Sequence, residues 1–450
     1  MAEPFDLIVI GTGSGGSGPA YRCRKAGWRV AVVDELPYGG TCALRGCDPK
    51  KVLVGAAELV DWQRRMHGRG ATGEARIAWG DLMRFKRSFT DPVPDNREAR
   101  FDAAGIVTLH GSARFVGPDA LAVGDDVLHA RHFVIATGSE PRPLEFPSAE
   151  HVRTSTDFLE LDELPTRIVF VGGGYISFEF AHVAARAGAT VTIVGRGRPL
   201  HQFEPDLVDR LVAHSRGLGV TVQTEADVTR VEQQGGGFRV HVATAGHTEV
   251  IDADLVVHGA GRVPATARLA LDEADVATSR GGGIAVNEYL RSTTNARVYA
   301  AGDVTTVPGS LPLTPVAGYE GTIVASNLLE GDHQRAAYGA IPSAVFTIPP
   351  LATVGLTQAQ AAEQGVDVRI ETHDTTDWYS NRRVAAECGM TTVLVEKRTE
   401  RVVGAHLLGH HAEELVNLFA LAMNHGILAP ALRHHIYAYP TSGSDVPYLV

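Results

Sequence analysis

The sequence predicts an α/β protein in which one strand–turn–helix–strand unit occurs twice and a separate α+β domain follows. The first unit spans residues 5–34 and the second residues 167–194, each with a glycine-rich turn after a buried strand. After about residue 335 the pattern changes to short β-rich stretches and two amphipathic helices, near 357–364 and 412–425. A chain of 450 residues is also too long for one core, so we expect several domains.

The first unit has the features of a Rossmann-like dinucleotide site. Its loop opens a helix directly after the strand, and loop residues without side chains let backbone amides approach a pyrophosphate. Asp34 ends the second strand, where its carboxylate can accept a hydrogen bond from a ribose hydroxyl. The candidate binding residues of the loop are Gly11, Gly13, Ser14, Gly15 and Gly16.

The second unit predicts a second dinucleotide site with a different preference. Gly172, Gly173 and Gly174 start its turn, but the following strand leads into a glycine, not an acid, with Arg196 and Arg198 close behind. Without a carboxylate a 2′-phosphate is not repelled, and the two arginines can bind it, so we expect NADPH in preference to NADH. The alternative is that both arginines are solvated surface side chains.

Cys42 and Cys47 lie five residues apart, just downstream of the first unit. Five residues of regular helix rise about 7.5 Å, whereas bridged Cα atoms lie about 4.4–6.8 Å apart. A bond therefore requires an irregular helix entry, with Cys42 on the turn and Cys47 inside the helix. We interpret the pair as a strained, exchangeable disulfide beside a cofactor. The alternative is two unrelated buried thiols, as we expect for Cys23 and Cys388.

Composition excludes several classes of function. The formal net charge of −11 argues against nucleic acid or an anionic membrane as a partner. No apolar run approaches the length of a membrane span, and the start of the chain has no basic targeting segment. Four cysteines do not form a secreted disulfide framework. We therefore expect a protein of the reducing cytoplasm.

Three further residues are candidates with open alternatives. Asp303 follows a buried strand and a glycine, where its carboxylate can bind a polyol chain or cap a helix. Lys50 and Glu179 lie on predicted helices near the two loops. They are either a buried pair near a redox ring or two surface charges.

In this order the motifs resemble the flavoprotein disulfide reductases, the family of glutathione reductase, dihydrolipoamide dehydrogenase and mercuric reductase. The resemblance covers essentially the whole chain. The motifs are Gly39-Gly-Thr-Cys-x4-Cys-x-Pro-Lys, Ala136-Thr-Gly, Gly-Gly-Gly-Tyr-Ile-x-x-Glu179, Gly261-Arg-x-Pro264, Ala301-Gly-Asp303, Leu313-Thr-Pro-Val-Ala317 and Phe346-Thr-x-Pro.

The resemblance implies two cofactors, FAD and NAD(P)H, and a domain for each. It implies FAD binding over residues 1–150, NAD(P) binding over 151–265, a return to the central FAD domain over 266–335 and a dimerisation domain over 336–450. Tyr175 would cover the nicotinamide pocket. The cofactor residues implied beyond those named above are Thr41, Lys50, Ala113, Thr137, Gly138, Thr314, Tyr175, Ile176 and Gly261.

The resemblance also implies a reaction. Hydride would pass through the flavin to the Cys42–Cys47 pair, with Cys47 in charge-transfer contact with the ring and Cys42 attacking the substrate. Lys50 and Glu179 would be paired beside the flavin. The chain would form a homodimer in which the partner's C-terminal segment completes each active site.

One departure from the family pattern concerns the acid–base residue of thiol–disulfide exchange. The family has a His-Pro-Thr motif near the C-terminus with a Glu five residues after the His. Here Tyr439 takes the histidine position and Ser444 the glutamate position, with Asp445 one residue later. A free phenol has a pKa about 3.5 units above imidazole, so it is a poor base at neutral pH. His434 and His435 lie just upstream, and we expect both to be exposed interface residues. The alternative is that His435 shares a strand face with Tyr437 and Tyr439.

We expect an FAD enzyme that passes electrons from NADPH through Cys42–Cys47 to a small oxidised substrate, with a glutathione-reductase-like disulfide as the first choice. The alternative is a quinone or metal-ion reductase, in which Tyr439 never acts as a base. Mercuric reductases resemble this chain in having a Tyr near that position, but their C-terminal cysteine pair is missing here. A redox sensor on the same scaffold is the remaining, non-enzymatic alternative.

Overall fold

The computed structural model describes residues 3–450. Its strands, in chain order, are β1 Phe5–Ile10, β2 Val30–Asp34, β3 Val107–His110, β4 Ala113–Gly117, β5 Ala120–Val123, β6 Asp126–Ile135, β7 Ser139–Pro141, β8 Arg167–Val171, β9 Thr190–Val194, β10 Thr221–Gln223, β11 Asp227–Gln234, β12 Gly237–Thr244, β13 His247–Ala253, β14 Leu255–His258, β15 Arg262–Pro264, β16 Val298–Ala300, β17 Ser343–Val345, β18 Leu351–Gly355, β19 Val368–Asp374, β20 Met390–Glu396 and β21 Val402–Leu408.

The helices are interspersed among these strands. They are α1 Ser14–Lys25, α2 Gly40–Arg45, α3 Cys47–Met66, α4 Trp79–Thr90, α5 Val93–Ala103, α6 Ser155–Phe158, α7 Tyr175–Arg186, α8 Pro205–Gly217, α9 Thr314–Glu330, α10 Gln358–Glu363, α11 Tyr379–Arg382, α12 Ala412–Asn424 and α13 Ala429–His434. Short 3₁₀ helices cover Ala149–His151, Leu271–Ala274 and Ser442–Tyr448.

The chain packs into two compact units, each assembled from three segments. The first unit contains residues 1–49, 86–142 and 262–338, and the second contains residues 50–85, 143–261 and 339–450. The domain boundaries predicted from the sequence, after residues 150, 265 and 335, stay a prediction, because these units reflect packing within the chain and not cofactor binding.

The first unit is built on a sheet whose order is β3-β2-β1-β6-β5-β4, with β16 also paired to β6. Strands β3, β2, β1, β6 and β16 run parallel, and β4 and β5 extend the sheet in antiparallel pairing. Since parallel neighbours end at one edge, the residues after β1, β2, β6 and β16 lie along that edge. The first glycine loop, Asp34, Thr137 and Asp303 are therefore placed on the side where open α/β sheets bind ligands.

Both faces of this sheet are covered, which explains the continuous apolar sequence of β1. Side chains alternate along a strand, and Ile8 and Ile10 pack into one core while Leu7 and Val9 pack into another. Leu7, Ile8 and Val9 are fully buried. The burial on both faces fixes the strand against rotation and thereby the position of the loop that follows it.

The second unit holds a smaller parallel sheet, ordered β10-β9-β8-β14, and an antiparallel sheet, ordered β11-β12-β13. Helix α7 follows β8 and is apolar around most of its circumference, so most of its residues are buried. The glycine turn before α7 lies at the carboxyl edge of the parallel sheet, in the same topological position as the loop of the first unit.

Residues 341–450 of the second unit form an α+β region. Its five antiparallel strands are ordered β17-β18-β21-β20-β19, and the buried face of α12, including Val416 and Phe419, packs into the core that this sheet shares. The helices predicted near 357–364 and 412–425 correspond to α10 and α12. The predicted fold class, two Rossmann-like units with a C-terminal α+β region, is confirmed.

Two features are absent from residues 3–450. Among them no helix is both long and apolar enough to cross a bilayer. The same residues contain no group of three or more His, Cys, Asp or Glu side chains suited to hold a metal ion.

Candidate active site

The turn after β1 is shaped by glycines that a larger residue could not replace. Gly11 has φ +105°, and a Cβ there would lie 2.3 Å from the Ala136 carbonyl oxygen. A Cβ on Gly16 would lie 2.3 Å from the Gly11 carbonyl oxygen. The strand edge, the turn and the start of α1 at Ser14 are thus packed backbone against backbone. This close approach is what a pyrophosphate-binding loop requires, so the loop fits the dinucleotide predicted from the sequence.

Asp34 is fixed beside this turn by hydrogen bonds. The Thr12 amide and hydroxyl donate to Asp34 Oδ2 at 2.9 and 2.7 Å, and the Leu36 amide donates to Oδ1 at 3.1 Å. Thr12 Oγ1 in turn accepts a hydrogen bond from the Gly39 amide. The carboxylate is therefore oriented before any ligand binds, and it is linked to the segment that leads to the cysteines.

The two cysteines sit at a break between α2 and α3. Cys42 lies within α2, and Cys47 is the first residue of α3. Gly46 separates the helices with φ −142° and ψ −113°, and a Cβ on it would lie 2.8 Å from the Thr41 carbonyl oxygen. The expected irregular helix entry is present, and Cys47 lies in a helix as expected, but the expectation that Cys42 lies on the turn was wrong, because Cys42 lies within α2. The six-residue α2 and the 20-residue α3 meet here because Gly46 can leave the helical conformation.

The two sulfur atoms interact with each other and with polar neighbours. Cys42 Sγ lies 3.8 Å from Asp48 Oδ1, and Cys47 Sγ lies 3.7 Å from Thr314 Oγ1. The hydrogen bond to Cys47, together with burial, raises the pKa of the Cys42 thiol far above its usual value. Cys42 therefore keeps its proton at neutral pH, and its thiol donates to Asp48 Oδ1.

The other predicted FAD residues line the carboxyl edge of the first unit. The Asp303 carboxylate accepts a hydrogen bond from the Ser139 hydroxyl at 2.9 Å, and Arg262 Nε donates to the same hydroxyl oxygen at 2.9 Å. The Thr137 hydroxyl donates to the Ala265 carbonyl at 2.8 Å. Ser139 and Arg262 were not among the predicted site residues, although Ser139 directly follows the Ala136-Thr-Gly motif and Arg262 lies within the Gly261-Arg-x-Pro264 motif. The remaining predicted positions are Gly138, with φ +70°, Ala113, which starts β4, Thr41 in α2, and Thr314, which starts α9.

The turn after β8 repeats the packing of the first turn. Gly172 has φ +107°, and a Cβ there would lie 2.5 Å from the Gly259 carbonyl carbon. Cβ atoms on Gly173 and Gly174 would lie 3.2 Å from Pro199 Cα and 3.1 Å from the Gly259 oxygen. Helix α7 then begins at Tyr175, whose side chain is about half exposed, and continues into the buried Ile176. Gly261, the last predicted nucleotide residue, has φ +102°.

The two arginines predicted to bind a 2′-phosphate are each held by an aspartate. Arg196 Nε lies 2.7 Å from Asp227 Oδ1, and an Arg198 terminal nitrogen lies 2.6 Å from Asp209 Oδ2. Both pairs are substantially exposed, so each contributes little to stability and can exchange its partner. Both guanidinium groups follow the carboxyl end of β9.

Lys50 and Glu179 form a buried ion pair. Lys50 Nζ lies 2.5 Å from Glu179 Oε2 and 4.8 Å from the centre of the Tyr175 ring. The Phe346 amide donates to Glu179 Oε1 at 2.8 Å. Lys51, which was not predicted, also lies 3.2 Å from Glu179 Oε2 and 3.9 Å from the centre of the Phe346 ring.

The electrostatic interactions among Lys50, Lys51 and Glu179 favour the ionised form of the Glu179 carboxyl group. Burial opposes ionisation of Glu179, but the ammonium groups of Lys50 and Lys51 outweigh it and hold the pKa of the carboxyl below its ordinary value. Glu179 is therefore a carboxylate at neutral pH, and Lys50 is kept in place as its charged partner.

The C-terminal segment exposes Tyr439. Its side chain is 78% exposed and stacks on the Tyr379 ring with centroids 6.3 Å apart. His435 makes an edge contact with Tyr437, and residues 435–440 form no strand, so His435 and Tyr439 share no strand face. His434 and His435 are both exposed, as expected from the sequence. Burial raises the pKa of Asp445, which accepts a hydrogen bond from Ser380 and so packs inside the segment.

Comparison with known proteins places the chain in a family. The family model described as pyridine nucleotide-disulphide oxidoreductase matches residues 5–321, and the dimerisation domain of the same family matches residues 341–448. The chain belongs to this family. The resemblance to flavoprotein disulfide reductases is thereby confirmed, and so is the prediction of an oxidoreductase.

Several relatives match along nearly the whole chain. A glutathione reductase of Burkholderia cepacia is 34% identical, covering 93% of this chain and 92% of its own. A mercuric reductase of Staphylococcus aureus is 31% identical over 97% of this chain and 80% of its own. The solved structure of the HOCl-induced flavoprotein disulfide reductase RclA from Escherichia coli superimposes with a TM-score of 0.88 at 28% identity, covering 99% of both chains.

The family membership fixes the cofactor classes, FAD and a pyridine nucleotide. The relatives carry different names, which are mercuric reductase, glutathione reductase and dihydrolipoyl dehydrogenase. RclA has also been solved as a Cu(II) complex. The acceptor of this chain must therefore be argued from its own residues.

Proposed function

We propose that the protein binds FAD and uses NADPH to reduce a small disulfide through Cys42 and Cys47. The observation that carries this proposal is the placement of Cys42 and Cys47 on the two sides of the helix break at Gly46, with Cys47 Sγ 3.7 Å from the Thr314 hydroxyl oxygen. FAD, when bound, supplies the transfer of two electrons from the nicotinamide to the sulfur pair. The residues proposed to hold it are the first glycine loop, Asp34, Thr41, Lys50, Ala113, Thr137, Gly138, Asp303 and Thr314.

The sulfur chemistry balances with one added proton. The reduced pair holds one thiol, at Cys42, and one thiolate, at Cys47. Cys42 loses its proton to the departing thiolate as it attacks the substrate disulfide, so a mixed disulfide forms and one thiol leaves. Cys47 then attacks Cys42 Sγ, which breaks the mixed disulfide, and a proton from solvent completes the second thiol. The Cys42–Cys47 disulfide that results accepts two electrons in the next cycle.

Lys50 and Glu179 are proposed to fix charge near the nicotinamide ring. Their pair is buried and Lys50 lies against the Tyr175 ring, which in this proposal covers the nicotinamide pocket. Because the Glu179 carboxylate holds the charged Lys50 side chain, Lys50 does not move with the Tyr175 ring. The charge near the nicotinamide pocket therefore stays in place while the nucleotide binds. The further nucleotide residues are proposed to be Gly172, Gly173, Gly174, Ile176, Arg196, Arg198 and Gly261.

The proposal includes a homodimer in the cytoplasm. Support for the dimer comes from the dimerisation-domain match over residues 341–448 and from exposed apolar side chains near the C-terminus, with Ile436 92% and Tyr448 71% exposed. The reducing cytoplasm suits an enzyme that cycles between dithiol and disulfide.

A metal-ion or quinone reductase is the second candidate, because Tyr439 takes the position of the family's acid–base histidine. A neutral phenol can donate a hydrogen bond to a leaving thiolate but does not readily accept the Cys42 proton. Reduction of a metal ion or a quinone needs no protonation of a leaving thiol. The mercuric reductases among the relatives agree with this candidate.

One experiment separates the two candidates. We would reduce the protein anaerobically with NADPH and offer glutathione disulfide, a benzoquinone and Cu²⁺ to the wild type, Cys42→Ala and Cys388→Ala. We expect Cys42→Ala to lose disulfide turnover by about 10³-fold, while Cys388→Ala, which removes a buried thiol elsewhere, keeps it. Quinone or copper turnover that exceeds disulfide turnover and survives Cys42→Ala would reject the disulfide proposal.

A further inference from the structure

Glu320 is a buried carboxylate outside all the motifs discussed so far. It lies on α9, is fully buried, and its two oxygens accept three hydrogen bonds. Oε2 accepts from the Gly302 amide at 2.6 Å, while Oε1 accepts from the Ser310 hydroxyl at 2.8 Å and the Tyr338 hydroxyl at 2.5 Å. Burying a carboxylate costs free energy unless such donors surround it, so the position requires an explanation.

The hydrogen bond from Gly302 connects Glu320 to a proposed cofactor residue. Gly302 has φ +81° and follows β16, and the next residue is Asp303. The Asp303 carboxylate is in turn fixed by the Ser139 hydroxyl. The turn is therefore held from two sides, by Glu320 through its backbone and by Ser139 through its side chain.

The two carboxylates also act on each other electrostatically. Burial raises the pKa of Glu320, and the nearby Asp303 charge adds to that shift. Placing the Glu320 carboxylate near the Asp303 carboxylate costs free energy because the two negative charges repel each other. The three hydrogen-bond donors to Glu320 offset this cost. An apolar residue at position 320 would avoid this cost if the only task were to pack the core.

We propose that Glu320 is a positioning residue for FAD, because it holds the Gly302 peptide so that the Asp303 carboxylate faces the hydroxyl groups of the cofactor. This inference rests on the proposed function, since it requires FAD on Asp303. Tyr338 and Ser310 fix the orientation of the carboxylate, so both act through Glu320.

The test is FAD binding by the Glu320→Gln variant. The amide keeps the size of the side chain but removes its charge and replaces one acceptor oxygen with an NH2 donor. Either the Gly302 amide then loses its acceptor, or the Ser310 and Tyr338 hydroxyls must turn to accept from the NH2 group. We expect the Kd of the apoprotein for FAD to rise about ten- to hundredfold. Turnover should return when excess FAD is added, which a misfolded protein would not show.

Asn327→Ala is the matched control on the same helix. The Asn327 side chain is also buried and also makes several bonds, donating to the Tyr289 and Gln334 carbonyls at 3.0 and 2.8 Å and accepting from the His333 and Gln334 amides. None of these bonds reaches the Gly302 turn. We expect a lower melting temperature for this variant but the wild-type Kd for FAD.

The outcomes are distinct. Wild-type protein that binds no FAD would reject the proposed function itself. If the wild-type protein binds FAD, two results would reject the role of Glu320 alone. One is that Glu320→Gln binds FAD as tightly as the wild type, and the other is that Asn327→Ala weakens FAD binding as much as Glu320→Gln does. If Glu320→Gln does not fold, Tyr338→Phe removes one donor and keeps the carboxylate. We expect about threefold weaker FAD binding from it, and an unchanged Kd would overturn the inference.

Discussion

The two glycine turns, after β1 and after β8, have the same geometry at the glycine where the turn packs against the backbone of a neighbouring segment. Gly11 and Gly172 have nearly the same φ, +105° and +107°. In each turn a Cβ would collide with the backbone that follows a neighbouring strand, at 2.3 Å from the Ala136 oxygen and 2.5 Å from the Gly259 carbon. The shared topology of strand, turn and helix imposes this requirement, whatever nucleotide is bound.

The two turns differ at the end of the next strand. In the first unit Asp34 is tied to Thr12 by two hydrogen bonds. In the second unit Gly195 follows β9, and a Cβ there would lie 3.2 Å from the Gly173 amide nitrogen. A side chain fits in one unit and is crowded in the other. The glycine turn is thus common to both units, and we propose that the strand end decides which dinucleotide each unit binds.

The strongest way to break the first half of this comparison is Asp34→Ala. The variant removes the acceptor of the Thr12 amide and hydroxyl and the proposed acceptor of the ribose, so we expect the Kd for FAD to rise about hundredfold. Titration of the apoprotein with FAD, followed by flavin fluorescence, measures this change.

Asp6→Ala is the matched control for that experiment. Asp6 also accepts a hydrogen bond from the backbone of the neighbouring strand, from the Arg29 amide at 2.9 Å, but it lies at the amino end of β1. The Asp6→Ala variant should lower the stability of the protein and leave its affinity for FAD unchanged. If both variants weaken FAD binding alike, Asp34 acts only through the fold.

The second half of the comparison is tested by the double variant Arg196→Ala/Arg198→Ala. Loss of both guanidinium groups should raise the KM for NADPH about tenfold and leave the KM for NADH unchanged, since only NADPH carries the 2′-phosphate. Steady-state kinetics with each nucleotide measures the ratio.

Arg230→Ala controls for the loss of an exposed arginine, since Arg230 is ion-paired to Glu232 at 2.8 Å and about half exposed. It should change neither KM. An equal rise of both KM values in the double variant would remove the 2′-phosphate assignment and leave Arg196 and Arg198 as partners of Asp227 and Asp209.

The features predicted correctly from the sequence are those set by local pattern. Buried strands, glycine turns and the helices that follow them depend on residues within about thirty positions, and burial on both faces of β1 makes its sequence continuously apolar. The irregular step at Gly46 was expected for the same reason, because the spacing of the cysteines does not fit one helix.

The features that escaped prediction depend on contacts between distant segments. Lys51 reaches Glu179 across 128 positions of the chain, and consecutive helical residues such as Lys50 and Lys51 do not share a face. In the sequence Glu320 is not distinguished from the other residues of α9. Its role appears only in the structure, where Gly302, Ser310 and Tyr338 donate hydrogen bonds to it. The periodicity of the sequence cannot predict that three hydrogen-bond donors from different segments meet at one carboxylate.

The smallest expected effect concerns the crowding at the end of β9 and is tested by Gly195→Ala against Gly197→Ala. A methyl group at position 195 would lie 3.2 Å from the Gly173 amide nitrogen, whereas at position 197 it meets no atom within 4 Å. Because the crowding displaces the turn itself, we expect Gly195→Ala to weaken NADPH and NADH alike, by about threefold. Gly197→Ala should affect neither nucleotide, and calorimetric titration measures both. An effect of Gly195→Ala on NADPH alone would mean that position 195 acts on the phosphate and not on the turn.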